Sequence, residues 1–169
     1  MRARALVLVL PFVLGACLQH RLDRLSETEF QHYYALKPFM SADQTHDFLK
    51  IKNEQERNAY LQDEKLWDMF YKYTPQEREL IVAGDVQKGW SADMVLMSWG
   101  APWDKRKLVG RPAQRSEMFV YRFETDDEGV VRIWEKGSKT AYTAARRFQR
   151  KVILDDNKVT EIDETDGWE

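Results

Sequence analysis

The side chains from which this chain would have to build chemistry are few. There is one thiol, there are three histidines, and the remaining charged groups are dispersed through 169 residues. His20, His32 and His46 lie far apart, and none has a second histidine three or four residues on, the spacing that sets two ligands on one helix face. They are expected to be surface residues, not metal ligands. Asp155 and Asn157 take the first and third positions of a calcium-loop pattern. Val159 at the fifth position and Thr160 at the sixth break it, so a hairpin turn is the better reading of those acids. The chain has no G-x-S-x-G, phosphate-loop or C-x-x-C signature. With no nucleophile beside a base, neither an enzyme nor a cofactor nor a metal is expected. One charged feature remains. Lys105, Arg106, Lys107, Arg111 and Arg115 fall within "DKRKLVGRPAQR", read as a loop that could dock an acidic partner or press on anionic headgroups. A second basic group, Arg146, Arg147, Arg150 and Lys151, follows later.

The single cysteine, Cys17, directly follows an apolar run that begins after Arg2 and Arg4. As a helix this run, "ALVLVLPFVLGA", would rise roughly 18 Å, short of the hydrocarbon core of about 30 Å. A positive start, a short apolar stretch and small residues before a cleavage point describe a signal peptide. "LGAC", with Leu14, Gly15 and Ala16 ahead of Cys17, resembles the lipobox of bacterial lipoproteins, where the thiol receives a diacylglyceryl group before the peptide is cut. A lone thiol in an exported chain can form no internal disulfide, which agrees with another use for it. Several acyl chains would hold the chain on a membrane. Leu18 follows the cysteine in place of aspartate, which by resemblance to sorting in enteric bacteria points to the outer membrane and its periplasmic face. Loss of residues 1–16 would remove two arginines and no acid, moving the formal charge from −2 to −4. Such a balance gives no reason to expect nucleic acid.

The elements that would position these groups divide at about residue 74. From 19 to 83 helix starts recur: "SETE" and "SADQ" pair Ser26 with Glu29 and Ser41 with Gln44, "NEQE" pairs Asn53 with Glu56, and "TPQE" sets Pro75 between Thr74 and Glu77. In each the cap oxygen satisfies an amide that would otherwise be orphaned. Ala59, Leu66, Phe70 and Tyr73 are expected on one apolar face, broadened by Leu61, Trp67 and Tyr71. After residue 116 the period becomes two. "EMFVYRFE" places Phe119, Tyr121 and Phe123 on one side, "VVRIW" follows an acidic turn, and residues 148–163 read as a hairpin turning at Asp155–Lys158. Helices followed by strands predict an α+β fold, with short helices on a three- to four-stranded antiparallel sheet and an added N-terminal helical region.

Between the two regions lies "KGWSADMVLMSWGAP". Ser91 is placed to cap a helix over Ala92 to Trp99, Gly100 to end it and Pro102 to prevent its continuation. Apolar nearly all round, this helix is expected to be a buried peg. The segment, with "MFVYRF" and the hairpin, resembles the SmpA/OmlA (BamE-like) family of outer-membrane lipoproteins over about residues 77–163. Gly89, Trp90, Ser91, Val95, Gly100 and Pro102 match position by position, although Trp90 stands where methionine is usual and Trp99 where leucine is. The resemblance implies two helices on a three-stranded sheet, with the helical region before residue 74 additional and residues 125–146 inserted. It divides the chain into a leader (1–16), a helical region (17–74) and a BamE-like domain (75–169). The function it implies is a lipid-anchored protein that binds envelope proteins, among them barrel-assembly components, as an accessory or scaffold. The alternative is an inhibitor or sensor of a periplasmic enzyme or cell-wall ligand on the same fold.

Overall fold

The computed structural model describes residues 20–135 and 144–168. Leu14, Gly15, Ala16 and Cys17 lie outside the described residues. Helix α1 (Glu27–Leu36) starts at a reciprocal capping box, in which the Glu29 amide donates to Ser26 Oγ and the Ser26 amide donates to the Glu29 carboxylate. Pro38 then tightens residues Lys37–Phe39 into a 3-10 turn. A second box at Ser41 and Gln44 opens α2 (Ala42–Lys50), and Asn53 caps α3 (Glu54–Asp63) through the Glu56 amide. After α4 (Trp67–Tyr71), Thr74, Pro75 and Glu77 begin α5 (Pro75–Ala83). Helix α6 (Ala92–Trp99) runs over the residues expected of it, capped by Ser91.

The single apolar face expected over 59–73 does not form. Lys65 adopts φ +57°, its amide donates to the Gln62 carbonyl and that of Leu66 to the Leu61 carbonyl, so the chain turns out of the helix there. With α3 and α4 pointing differently, Ala59 is exposed while Arg57 and Leu61 are buried on α3, and Leu66 and Phe70 fill the core from the next segment.

Strands β1 (Asp104–Leu108), β2 (Ser116–Thr125), β3 (Val131–Ile133), β4 (Arg146–Asp155) and β5 (Lys158–Asp166) form one antiparallel sheet in the order β1-β2-β4-β5. β3 pairs with Phe123–Thr125 of β2, on the edge that β1 occupies along Ser116–Val120. The sheet is thus four strands wide and built from five, which is an α+β fold with short helices on an antiparallel sheet. The expected loop at 104–115 is a strand in its first part. "DKRKL" carries no apolar alternation because β1 is a charged edge strand, and period-two patterning marks only strands with a buried face. β3 lies within the residues read as an insertion.

The core sits between the helices and one sheet face. Phe119, Tyr121 and Phe123 of β2 pair with Val152, Arg150 and Phe148 of β4, and the Phe123 and Phe148 rings stack 5.0 Å apart. α6 is the peg above them: Val95 is fully buried, and the Trp99 ring meets Tyr121 and Phe123 edge-on at 5.2 Å each. Trp99 Nε1 donates to the Gly84 carbonyl at 2.8 Å and Ser98 Oγ to that of Ile81 at 2.9 Å, which fastens α6 to α5. The same buried cluster continues into Tyr33, Leu36, Phe48 and Leu61. The helices before residue 74 therefore share one core with the sheet.

Gly100 stops α6 with φ +73° and ψ −159°, a region that residues with a Cβ rarely enter, and not the left-handed helical conformation that its position suggests. Its carbonyl accepts from the Tyr121 hydroxyl at 3.0 Å. A Cβ built there would meet no atom within 4 Å, so substitution is resisted by backbone strain alone. Gly100→Val is expected to lose about 1–3 kcal/mol of stability, read as a lowered denaturation midpoint with an unchanged urea slope. A variant as stable as the native chain would contradict this.

Candidate docking surface

The five cations of the 104–115 segment are not gathered into one patch, and four of them are held by acids of the same chain. Lys105 bonds Glu117 at 3.2 Å, Arg106 bonds Asp104 at 2.6 Å, and Arg115 bonds Glu117 at 2.9 Å. Arg111 reaches across to the hairpin, where it meets Asp155 at 2.7 Å and Glu161 at 2.6 Å. Asp155 also accepts from Ser116 Oγ and Thr160 Oγ1. Arg111 first, then the two hydroxyls, hold its carboxyl well below the usual carboxylate range. The turn acid singled out in the sequence is therefore a structural anchor for the 109–115 loop. Lys107 is the one of the five for which no ion pair is described.

In the second basic group, Arg146 pairs with Glu164 and Asp166, Arg150 with Glu164, and Arg147 with the buried Glu124. Gly89, Trp90 and Ser91 join the sheet margin. The Gly89 amide donates to the Val159 carbonyl at 2.7 Å, the Val159 amide to that of Trp90 at 2.8 Å, and Ser91 bridges to Lys158. Val95, Trp99 and Gly100 serve the core as described above. These motif residues place α6; none lines an exposed site except around Gly100 and Pro102, which flank a cleft of about 340 Å³ beside Tyr34, Lys37 and Glu135.

The sequence reading missed a cluster on the other sheet face. Alternation along β2 puts Arg122 opposite in sense to Tyr121 and Phe123, on the face turned away from the helices. Trp103 precedes β1, Trp134 follows β3 and Trp168 follows β5, and all three gather around that arginine. The Trp103 and Trp134 ring centres are 6.4 Å apart, and those of Trp134 and Trp168 are 6.2 Å apart. The Arg122 guanidinium lies 4.3 Å from the Trp103 ring centre and 6.0 Å from that of Trp168, and Arg147 lies 5.9 Å from Trp168. A concavity of about 560 Å³ opens beside them between Arg122, Gln149, Gly167 and Trp168. The indole N–H of Trp134 is buried without a described partner. The sequence signal was a tryptophan at the end of three separate strands, which is visible only once strand order is known.

His32 is a second correction. It is not a surface histidine but is only 5% exposed, with Nε2 at 2.8 Å from the Tyr71 hydroxyl and its ring among Trp67, Phe70 and Tyr71. Burial lowers its pKa below the ordinary 6.5; the Glu29 charge opposes this and that of Arg78 assists it. The unfolded chain therefore binds more protons just below pH 6.5, and stability contributed by neutral His32 is lost as pH falls through that value. Thermal midpoints measured from pH 7.5 to 5 are expected to decline, and His32→Gln to flatten the decline. An unchanged slope in the variant would contradict this.

Among the described residues no cluster of three or more His, Cys, Asp or Glu could hold a metal, and no helix is long and apolar enough to cross a membrane. No protein-family profile, curated protein or solved structure matches the chain. The resemblance to the SmpA/OmlA pattern therefore rests on the residues quoted for it.

Proposed function

We propose that this chain is a protein-docking domain held at the periplasmic face of a bacterial outer membrane by a lipid on Cys17, where it serves as an accessory or scaffold in envelope assembly. The observation that carries the docking role is the cluster of Trp103, Trp134 and Trp168 around Arg122 on the solvent side of the sheet. Tryptophan and arginine are the residue types that most often dominate binding energy at protein interfaces, and planar aromatics order at little entropic cost. The basic 104–115 segment is the weaker candidate, since four of its five cations are already paired within the chain. The tether would act by confinement, raising the effective concentration of the domain for partners in the same membrane.

Cross-linking in intact cells tests this, followed by extraction in mild detergent and identification of what co-purifies with the native chain, Cys17→Ser and Trp168→Ala. The proposal expects envelope-assembly proteins, barrel-assembly components among them, to be captured by the native chain and lost from both variants. Capture of one soluble enzyme by the native chain and Cys17→Ser alike would favour the inhibitor reading instead.

A further inference from the structure

A second groove, independent of the sheet face, runs between α1, α4 and α5. Its volume is about 410 Å³, and a smaller hollow of about 120 Å³ adjoins it across Gln31 and Val82. Phe30, Tyr71 and Val82 are among the exposed large apolar side chains of the described residues, at 45%, 37% and 42%, and all three line this surface. Such residues lose free energy by staying in water, and three together mark a surface that is covered in use.

The polar groups indicate what covers it. Arg78 projects from α5 with its guanidinium 4.4 Å from the Tyr71 ring centre and 5.9 Å from that of Phe70. No ion pair is described for it among the described residues, in contrast to Arg106, Arg146, Arg147 and Arg150 of the sheet. Stacking fixes the guanidinium plane while leaving its edge donors available, the arrangement that suits a carboxylate. Glu79 beside it is exposed and solvated. His32, nine-tenths buried in the same groove wall, has an Nδ1 without a described partner.

We propose that this groove receives a segment of a partner protein in which an aspartate or glutamate is flanked by apolar side chains. The carboxylate takes the edge of Arg78, and the apolar groups cover Tyr71, Val82 and Phe30.

The test is a selection of random dodecapeptides on phage against the full chain, followed by fluorescence anisotropy of the most enriched peptide. Enriched peptides are expected to carry Asp or Glu between apolar residues. Arg78→Glu and Val82→Asp should each weaken binding about tenfold, with circular dichroism melts near those of the native chain. Arg78→Gln serves if Arg78→Glu does not fold. No enrichment, enrichment of acid-free peptides, or unchanged binding in the Arg78 variants would overturn the proposal. A native dimer in sedimentation that Arg78→Glu dissociates would also overturn it, assigning the groove to a second copy. Trp168→Ala in cells reports on the sheet face separately, so the two surfaces can fail independently.

Discussion

Arg57→Ala is expected to lower stability by about 3–5 kcal/mol, a fall in melting midpoint on the order of 10 °C for a domain of this size. Arg57 is 3% exposed and Glu29 2%, and the pair is joined by Nε to Oε1 at 2.5 Å and Nη2 to Oε2 at 2.9 Å. The other terminal nitrogen, Nη1, donates to the Ile51 carbonyl at 2.9 Å, so one side chain ties α1, the end of α2 and α3 together. Burial pushes the Glu29 carboxyl up, but hydrogen bonds from Arg57 and the Ser26 amide outweigh it and hold the carboxyl below the ordinary 4.5. Removing the arginine leaves that charge buried and alone, which is the costly half of the experiment. Replacing both partners, as Glu29→Leu with Arg57→Met, should therefore recover most of the loss, less the contribution of the Ser26 capping box. Denaturant melts of the single and double variants at pH 7 decide it, and a single variant within about 1 kcal/mol of the native chain would refute the argument.

Trp99→Ala should cost a comparable 3–5 kcal/mol by about the same measure, for a different reason. The indole is 3% exposed and packs edge-on against Tyr121 and Phe123, with the Arg150 guanidinium 5.4 Å from its centre. Truncation opens a cavity at the junction of α6 and the sheet that neighbours can only partly fill. It also removes the donor to the Gly84 carbonyl. Trp99→Phe separates the two effects, because it keeps most of the packing and loses the hydrogen bond, with an expected cost of about 1–3 kcal/mol. Equal melting of the alanine and phenylalanine variants would show that packing at this site contributes little.

What the sequence disclosed was local. The capping boxes at Ser26, Ser41 and Thr74, the peg from Ala92 to Trp99 and the hairpin turn all depend on residues within a few positions of one another. What it concealed depends on distance. In α1 the buried positions are Glu29, His32, Tyr33, Ala35 and Leu36; four of them make a regular i, i+3, i+4, i+7 stripe, but Glu29 and His32 within it are polar. They become legible as core only when Arg57 and Tyr71 arrive to satisfy them. β1 was hidden because it is a charged edge strand without apolar alternation, its Lys105 paired with Glu117 of β2 and its Arg106 with Asp104 at its own start. The tryptophan cluster was hidden for a like reason, since its three members belong to the ends of different strands. The candidate groove at Arg78 needed the knowledge that no ion pair is described for that arginine among the described residues.

The sharing of one β2 edge by β1 and β3 bears on how the protein behaves when crowded. A chain seeking to add itself to a sheet needs a continuous row of open amides and carbonyls. On that side it would meet five residues of β1 and then three of β3. On the other side, Ser91 bridges the start of β5, and Glu161, Asp163, Glu164 and Asp166 follow along the strand. One margin is interrupted and the other is lined with charged side chains, most of them in ion pairs, so the sheet offers poor templates for stacking copies end on end. A concentrated preparation should accordingly stay clear and free of fibrils, even with three half-buried tryptophans on its broad face.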